Sequence, residues 1–289
     1  MGLGFNTGEL MSPYEKPNLF RYATSELSQD AFIAWLASWA NPKLATINDK
    51  LHNSGKKLIA EFLTLHDKAL PSIDKLEVLT QKRRVDVLII INDTYYIIIE
   101  DKIFTKSHSN QLEKYLTDVK GFYKVDKKYI IPIYFKTGDQ CSYQKVIDNK
   151  YKVYTRQMFL NLLNEGVKSG IKNDIYLAYY QFLQILENQV EAFRYTKVKE
   201  WESFSKEWIG LHKEFKKVFE DGFWEPVNSP SKKFHAFWWN RRIIREHEIY
   251  LQNEGGKLCF KVCQSREEKG NVDPEIKKKL LSKVKIIYQ

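Results

Sequence analysis

The chain has 289 residues, of which 43% are hydrophobic and 28% charged, a balance that excludes both a disordered segment and a membrane-embedded one. Lysine and arginine outnumber the acids 46 to 36, a formal charge of +10, which favours polyanionic partners with nucleic acid first among them. No apolar run reaches the ~18 residues of a membrane span, so no membrane association is expected.

The opening "MGLGFNTGEL" has neither a basic n-region nor an apolar h-region, and three cysteines, Cys141, Cys259 and Cys263, suit a reducing compartment. A cytoplasmic location is therefore expected. After a polar lead with Pro13 and Pro17, "TSELSQDAFIAWLASWANP" carries Phe32, Trp35, Leu36 and Trp39 at helical spacing, and Asn41-Pro42 ends that helix. A second helical pattern runs from Leu51 to about His66, with Leu58, Ile59, Phe62, Leu63 and Leu65 on its buried side.

The period then changes from helix to strand. "IDKLEVL" at 73 to 79 alternates, "VDVLIII" at 85 to 91 and "YYIIIE" at 95 to 100 are continuous and β-branched, and Asn92-Asp93-Thr94 between them is turn chemistry. These make a meander of three strands. Asn110 is placed to cap "NQLEKYLTDVKGF", a helix predicted to end at Gly121, and "KKYIIPIYF" at 127 to 135 is a further buried strand. The order is α, β, β, β, α, β, with a short strand "YKVYT" at 151 to 155 after it.

From Arg156 to about Phe219 the pattern is helical, and its aromatic stripe, with Tyr176, Tyr179, Tyr180, Phe182 and Leu186, reads as core. Beyond it, "FHAFWWNRRIIREHEIYLQ" and "KLCFKVCQ" flank the hairpin signal Asn253-Glu254-Gly255-Gly256, and the chain stops on the strand-like "VKIIYQ". Cys259 and Cys263 read as buried thiols. The interleaving of Lys232, Lys233, Arg241, Arg242 and Arg245 with Phe237, Trp238 and Trp239 fits a nucleic-acid contact and a packed sheet equally well.

The chemistry gathers at the end of the third strand. Residues two apart share a face of a strand, so Glu100 and Lys102 project together while Asp101 points the other way. Asp93 lies midway between positions 86 and 100, so a hairpin centred there sets Asp86 opposite Glu100. Two carboxylates held together repel unless a cation sits between them, and hard oxygen ligands suit Mg²⁺ or Mn²⁺. A metal of that kind beside a lysine indicates hydrolysis of a phosphodiester. Basic residues surround the position: Lys82, Arg83 and Arg84 before it, and Lys106, Lys114, Lys120 and Lys124 after it, placed to neutralise backbone phosphates. His108 reads as a loop residue beside them.

"VDVLIIINDTYYIIIEDK" resembles the D…(D/E)xK signature of the PD-(D/E)XK nuclease superfamily, with Asp86 and then Glu100-x-Lys102. The wider run of "SELSQDAFIAWLASWANP", "RRVDVLIII", "IIIEDKI" and "SNQLEKY" is similar to a bacterial branch of that family first known as uncharacterised proteins, over residues 20 to 136. The resemblance implies an α/β fold with a restriction-endonuclease-like αβββαβ core, the order read above, and the patterns beyond it add a helical extension and a small C-terminal β-rich module. The expected domains are a nuclease core at 20–155, the helical extension at 156–220 and the β-rich module at 221–289.

By the same resemblance Asp86 and Glu100 are metal ligands and Lys102 is the catalytic lysine. Glu26 matches the acid of the family's first helix, and Gln111 with Tyr115 matches its glutamine motif. Arg83, Arg84, Lys106, Lys114 and Tyr115 are the candidate nucleic-acid contacts. The family's proline before the aspartate is replaced by Val85, which removes no ligand. Taken singly, Glu26 is an ordinary first-turn acid and Gln111 a solvated helix start. The activity implied is a Mg²⁺-dependent nuclease, an endonuclease on DNA leaving 5′-phosphates, with phage defence or restriction among the family's roles. An RNA nuclease and a non-catalytic binding module on the same fold are the alternatives, and a homodimer or an activating protein partner is left open.

Overall fold

A computed structural model of the chain describes residues 17–82, 84–105, 111–228, 233–244 and 247–264. The chain divides into two units, residues 1–137 with 148–184, and residues 138–147 with 185–289. The elements run α1 (Glu26–Ser38), α2 (Asp49–Thr64), β1 (Leu76–Lys82), β2 (Val85–Ile91), β3 (Tyr95–Lys102), α3 (Gln111–Tyr123), β4 (Ile130–Lys136), α4 (Gln144–Asp148), β5 (Lys152–Thr155), α5 (Arg156–Lys168) and α6 (Asp174–Glu191). After them come α7 (Glu207–Val218), β6 (Phe223–Asn228), β7 (Lys233–Ile244), β8 (His247–Glu254) and β9 (Lys257–Gln264). No helix among the described residues is long and apolar enough to cross a membrane.

The first unit is built on a five-stranded mixed sheet in the order β1-β2-β3-β4-β5. β1, β2 and β3 form an antiparallel meander, and β4 and β5 add in parallel. The β2–β3 turn explains the register: Asn92 and Asp93 have φ of 52° and 49°, the doubly left-handed turn whose twist matches that of the strands it joins, and the Thr94 N–H donates to Ile91 O at 2.9 Å. Pairs Ile91↔Tyr95 through Val87↔Ile99 follow from it.

β1 begins at Leu76 and not at Ile73, as the alternation predicts, because the residues before it serve the turn. Asn92 Oδ1 accepts the N–H groups of Asp74 and Lys75, both at 2.9 Å, and Asn92 Nδ2 donates to Ser72 O. Those backbone groups are then committed before the ladder starts. The predicted stop of α3 at Gly121 is also corrected. Gly121 lies inside the helix in open space, and the chain leaves it through Lys124 at φ 50°, the left-handed position that ends helices.

β2 and β3 are apolar on both faces because both faces are covered. On one side Val85, Leu88, Ile90, Tyr96, Ile98 and Ile130 pack with Tyr115 and Val119 of α3. On the other, α1 and α2 lie against the sheet, with Ile33, Leu36, Leu58, Ile59 and Phe62 fully buried and Trp35 and Trp39 only partly so. Each such aliphatic side chain contributes roughly 1.5–3 kcal/mol on removal from water. The aromatic stripe of the following helices is core as expected: Tyr179 stacks on Phe32 at 3.9 Å and Phe159 packs edge-on to Phe135 at 5.0 Å.

In the second unit β6, β7, β8 and β9 pair antiparallel in chain order, and Gly255 and Gly256, at φ 57° and 84°, form the predicted β8–β9 turn. Phe237 is completely buried, Trp239 stacks on Phe219 at 5.2 Å and Trp238 lies against Phe223 at 5.4 Å, so these rings serve packing. Lys233 and Arg242 are exposed, while Arg241 pairs with Glu248. Cys259 and Cys263 are half-buried thiols and not the buried ones expected. Pro13, Lys232, Arg245 and the terminal "VKIIYQ" lie outside the described residues.

Candidate active site

Four side chains from three elements meet at the end of β3. Continuing the β2–β3 register one step past Val87↔Ile99 sets Asp86 opposite Glu100, and Asp86 Oδ2 accepts the Asp101 N–H at 2.9 Å. Lys102, two residues beyond Glu100 on the same face, places its Nζ 2.8 Å from Glu100 Oε1 and 3.9 Å from Asp86 Oδ2. Glu26 arrives from the first turn of α1, with its Oε2 3.5 Å from the same nitrogen. Its other oxygen accepts the Ile103 N–H at 3.2 Å and the Thr105 hydroxyl at 2.6 Å, which ties α1 to the chain leaving β3.

Burial makes this grouping costly without positive charge. Glu100 is 0% exposed and its carboxyl is pushed up to about 7, first by burial and then by the neighbouring Asp86. Burial works against the Lys102 ammonium as well, but Glu100, Asp86 and Glu26 together outweigh it and hold this amine well above the ordinary lysine range. Lys102 is therefore charged at any physiological pH.

No group of three His, Cys, Asp or Glu side chains among the described residues is arranged as a ready metal cage. Glu26, Asp86 and Glu100 instead gather around an ammonium. Their chemistry fits a hard divalent cation all the same: three carboxylates supply only oxygen donors, and the buried Glu100 Oε2 has no hydrogen-bond partner.

Asp101, on the opposite face of β3, belongs to a second acidic pair with Asp30 of α1; they are 0% and 3% exposed. Gln81 Nε2 donates to Asp30 Oδ2 at 3.0 Å, and Gln29 donates to Asp101 Oδ1. Gln29 Oε1 in turn accepts from Thr137 Oγ1 at 2.6 Å and from the Tyr179 hydroxyl at 2.7 Å. Asp30 is pushed up to about 7 by burial and then by Asp86, and Asp101 is raised by burial and then by Asp30, so each buried carboxyl drives the other toward its neutral form. Sequence reasoning missed this network. The readable signal was polarity inside the buried stripe of α1, where Gln29 and Asp30 stand one turn before Ile33.

Gln111 opens α3 and donates to the Tyr115 hydroxyl at 2.6 Å. The Tyr115 ring, 7% exposed, lies in the core beneath α3, within electrostatic reach of Glu100 and Asp86. Arg84, at φ 68°, and Lys114 are exposed, as are Lys82, Lys120 and Lys124. Arg83, Lys106, His108 and Asn110 lie outside the described residues.

A mixed sheet flanked by helices, with an aspartate and a Glu-x-Lys on adjacent strand ends, defines a class of phosphodiester-cleaving folds. A model of the PD-(D/E)XK nuclease superfamily matches residues 17–217, and the chain belongs to that superfamily. No curated protein and no solved structure matches it.

Proposed function

We propose that the chain is a divalent-metal-dependent endonuclease acting on DNA, with Glu26, Asp86 and Glu100 as the carboxylates that hold the cation and Lys102 as the cationic group beside the scissile phosphate. The observation that carries this reading is the convergence of three carboxylates from α1, β2 and β3 on one lysine amine. When bound, Mg²⁺ or Mn²⁺ polarises a phosphoryl oxygen and acidifies water. Lys102, beside those carboxylates, supplies positive charge that stabilises charge developing on the phosphoryl oxygens. Arg84 and Lys114 are exposed and suited to backbone phosphates, which they would bind without reading sequence. Gln111, bonded to Tyr115 at the start of α3, orients substrate beside the carboxylates. A role in defence against foreign DNA is consistent with such an activity.

The test is conversion of supercoiled plasmid to nicked or linear forms with Mg²⁺ or Mn²⁺, against Asp86→Ala made in parallel. Cleavage by the native protein alone supports the reading. Equal cleavage by both, or none by the native protein with either metal, overturns it.

A further inference from the structure

Lys136, the last residue of β4, is 1% exposed, an unusual place for an ammonium that water would otherwise solvate. In the parallel register it stands beside Lys102, so two lysines neighbour each other on one face of the sheet. Like charges at that spacing repel. The two amines diverge: Lys102 turns to the carboxylates, and Lys136 Nζ donates to Thr105 O at 2.6 Å.

That carbonyl belongs to the segment that holds Glu26. Both donors on Glu26 Oε1 come from it, the Ile103 N–H at 3.2 Å and the Thr105 hydroxyl at 2.6 Å. Residues 103 to 105 leave the strand with Ile103 buried and Phe104 46% exposed, so the sheet alone does not fix the Thr105 end. A buried ammonium on a rigid strand does fix it, through a charge-assisted bond to the main chain.

We propose that Lys136 is a positioning residue: by clamping the Thr105 carbonyl it holds residues 103 to 105 in the geometry that orients Glu26 toward Lys102. The importance of that orientation for catalysis rests on the nuclease reading given above, while the clamp itself does not. Outer partners of a ligating carboxylate commonly carry tenfold or more of a site's metal affinity, which is the scale expected here.

The test uses the full chain and begins with amide hydrogen exchange, which needs neither metal nor turnover. In Lys136→Met the Ile103 amide is expected to lose protection by about tenfold or more while Leu88 and Ile98 in the sheet keep theirs, and Lys136→Arg restores most of it. Calorimetric Mn²⁺ titration is the second readout. Lys136→Met should weaken uptake by about tenfold in the native background and add nothing in Glu26→Gln, as expected of residues acting as one unit. An Ile103 amide equally protected in folded Lys136→Met overturns the proposal, and so does a loss of Mn²⁺ affinity that adds in full to that of Glu26→Gln. If Lys136→Met does not fold, Lys136→Gln, whose amide is too short to reach Thr105 O, is read by the same criteria. A native protein that neither cleaves nor takes up Mn²⁺ sinks the nuclease reading, and the exchange result still decides the clamp.

Discussion

Lys102 and Glu100, two residues apart on β3, form an ion pair of 2.8 Å in which the carboxylate is fully buried and the lysine nearly so. Removing Lys102 leaves the buried Glu100 beside Asp86 without the cation that compensates it, while removing Glu100 leaves Lys102 still facing Glu26 and Asp86. Lys102→Met is expected to lower stability by roughly 2–4 kcal/mol in urea unfolding. It is also expected to reduce plasmid cleavage at least about a hundredfold, the scale of losing one charge-stabilising group. Native-like cleavage by the folded variant would refute the role given to Lys102.

Asp30→Asn should stabilise the protein. The pair Asp30–Asp101 sets two carboxyls together in the core, where burial and each other's charge disfavour ionisation of both. An asparagine at position 30 keeps an oxygen for Gln81 and offers an N–H to Asp101. A gain on the order of 1 kcal/mol at pH 8 is expected from thermal or urea unfolding, and a loss of that size would show that the acidic pair is favourable as it stands.

The second unit should weaken in mild acid. Burial, the largest cause for both, lowers His212 to about 3 and His235 to about 4, with the nearby Asp139 opposing the shift of His235. Unfolding frees both rings to protonate near 6.5, so the unfolded state binds more protons between pH 6.5 and the folded values. Stability is therefore flat above pH 6.5 and falls below it, by up to about 1.4 kcal/mol per pH unit for each histidine. Denaturant unfolding followed by tryptophan fluorescence at pH 7.5, 6 and 5 measures the slope, which His212→Leu should reduce. An unchanged slope in that variant would assign the acid sensitivity elsewhere.

Gly55→Ala should destabilise the helix pair that delivers Glu26. A Cβ at Gly55 of α2 would stand 2.5 Å from Leu36 O and 2.8 Å from Ala40 N, both main-chain atoms that cannot turn aside. The expected cost is about 1–3 kcal/mol by thermal unfolding. A neutral result would mean that α1 and α2 separate easily, and with them the placement of Glu26.

The β2–β3 hairpin was legible because everything that shapes it is local. A period of two decides which residues share a face, and Asn92-Asp93 admit the left-handed turn, so the meeting of Asp86, Glu100 and Lys102 follows from one short run of consecutive residues. The same reasoning erred where surroundings beyond the local pattern decided a boundary. Asn92 claims the backbone before Leu76, and α3 passes through Gly121 because nothing blocks it there.

Apart from the family resemblance, Glu26 was visible in the sequence only as an acid in a helix's first turn, for no short stretch says which strand end that turn will face. Lys136 and the group of Gln29, Asp30, Asp101, Thr137 and Tyr179 carried still less signal, since no period or turn marks them and their partners stand up to 150 positions away. Local periodicity and turn chemistry settle faces and registers along the chain. Packing α1 and β4 against the same strand end settles which buried charges meet, because an ion pair or an acidic pair depends on distance in space and leaves no period in the sequence.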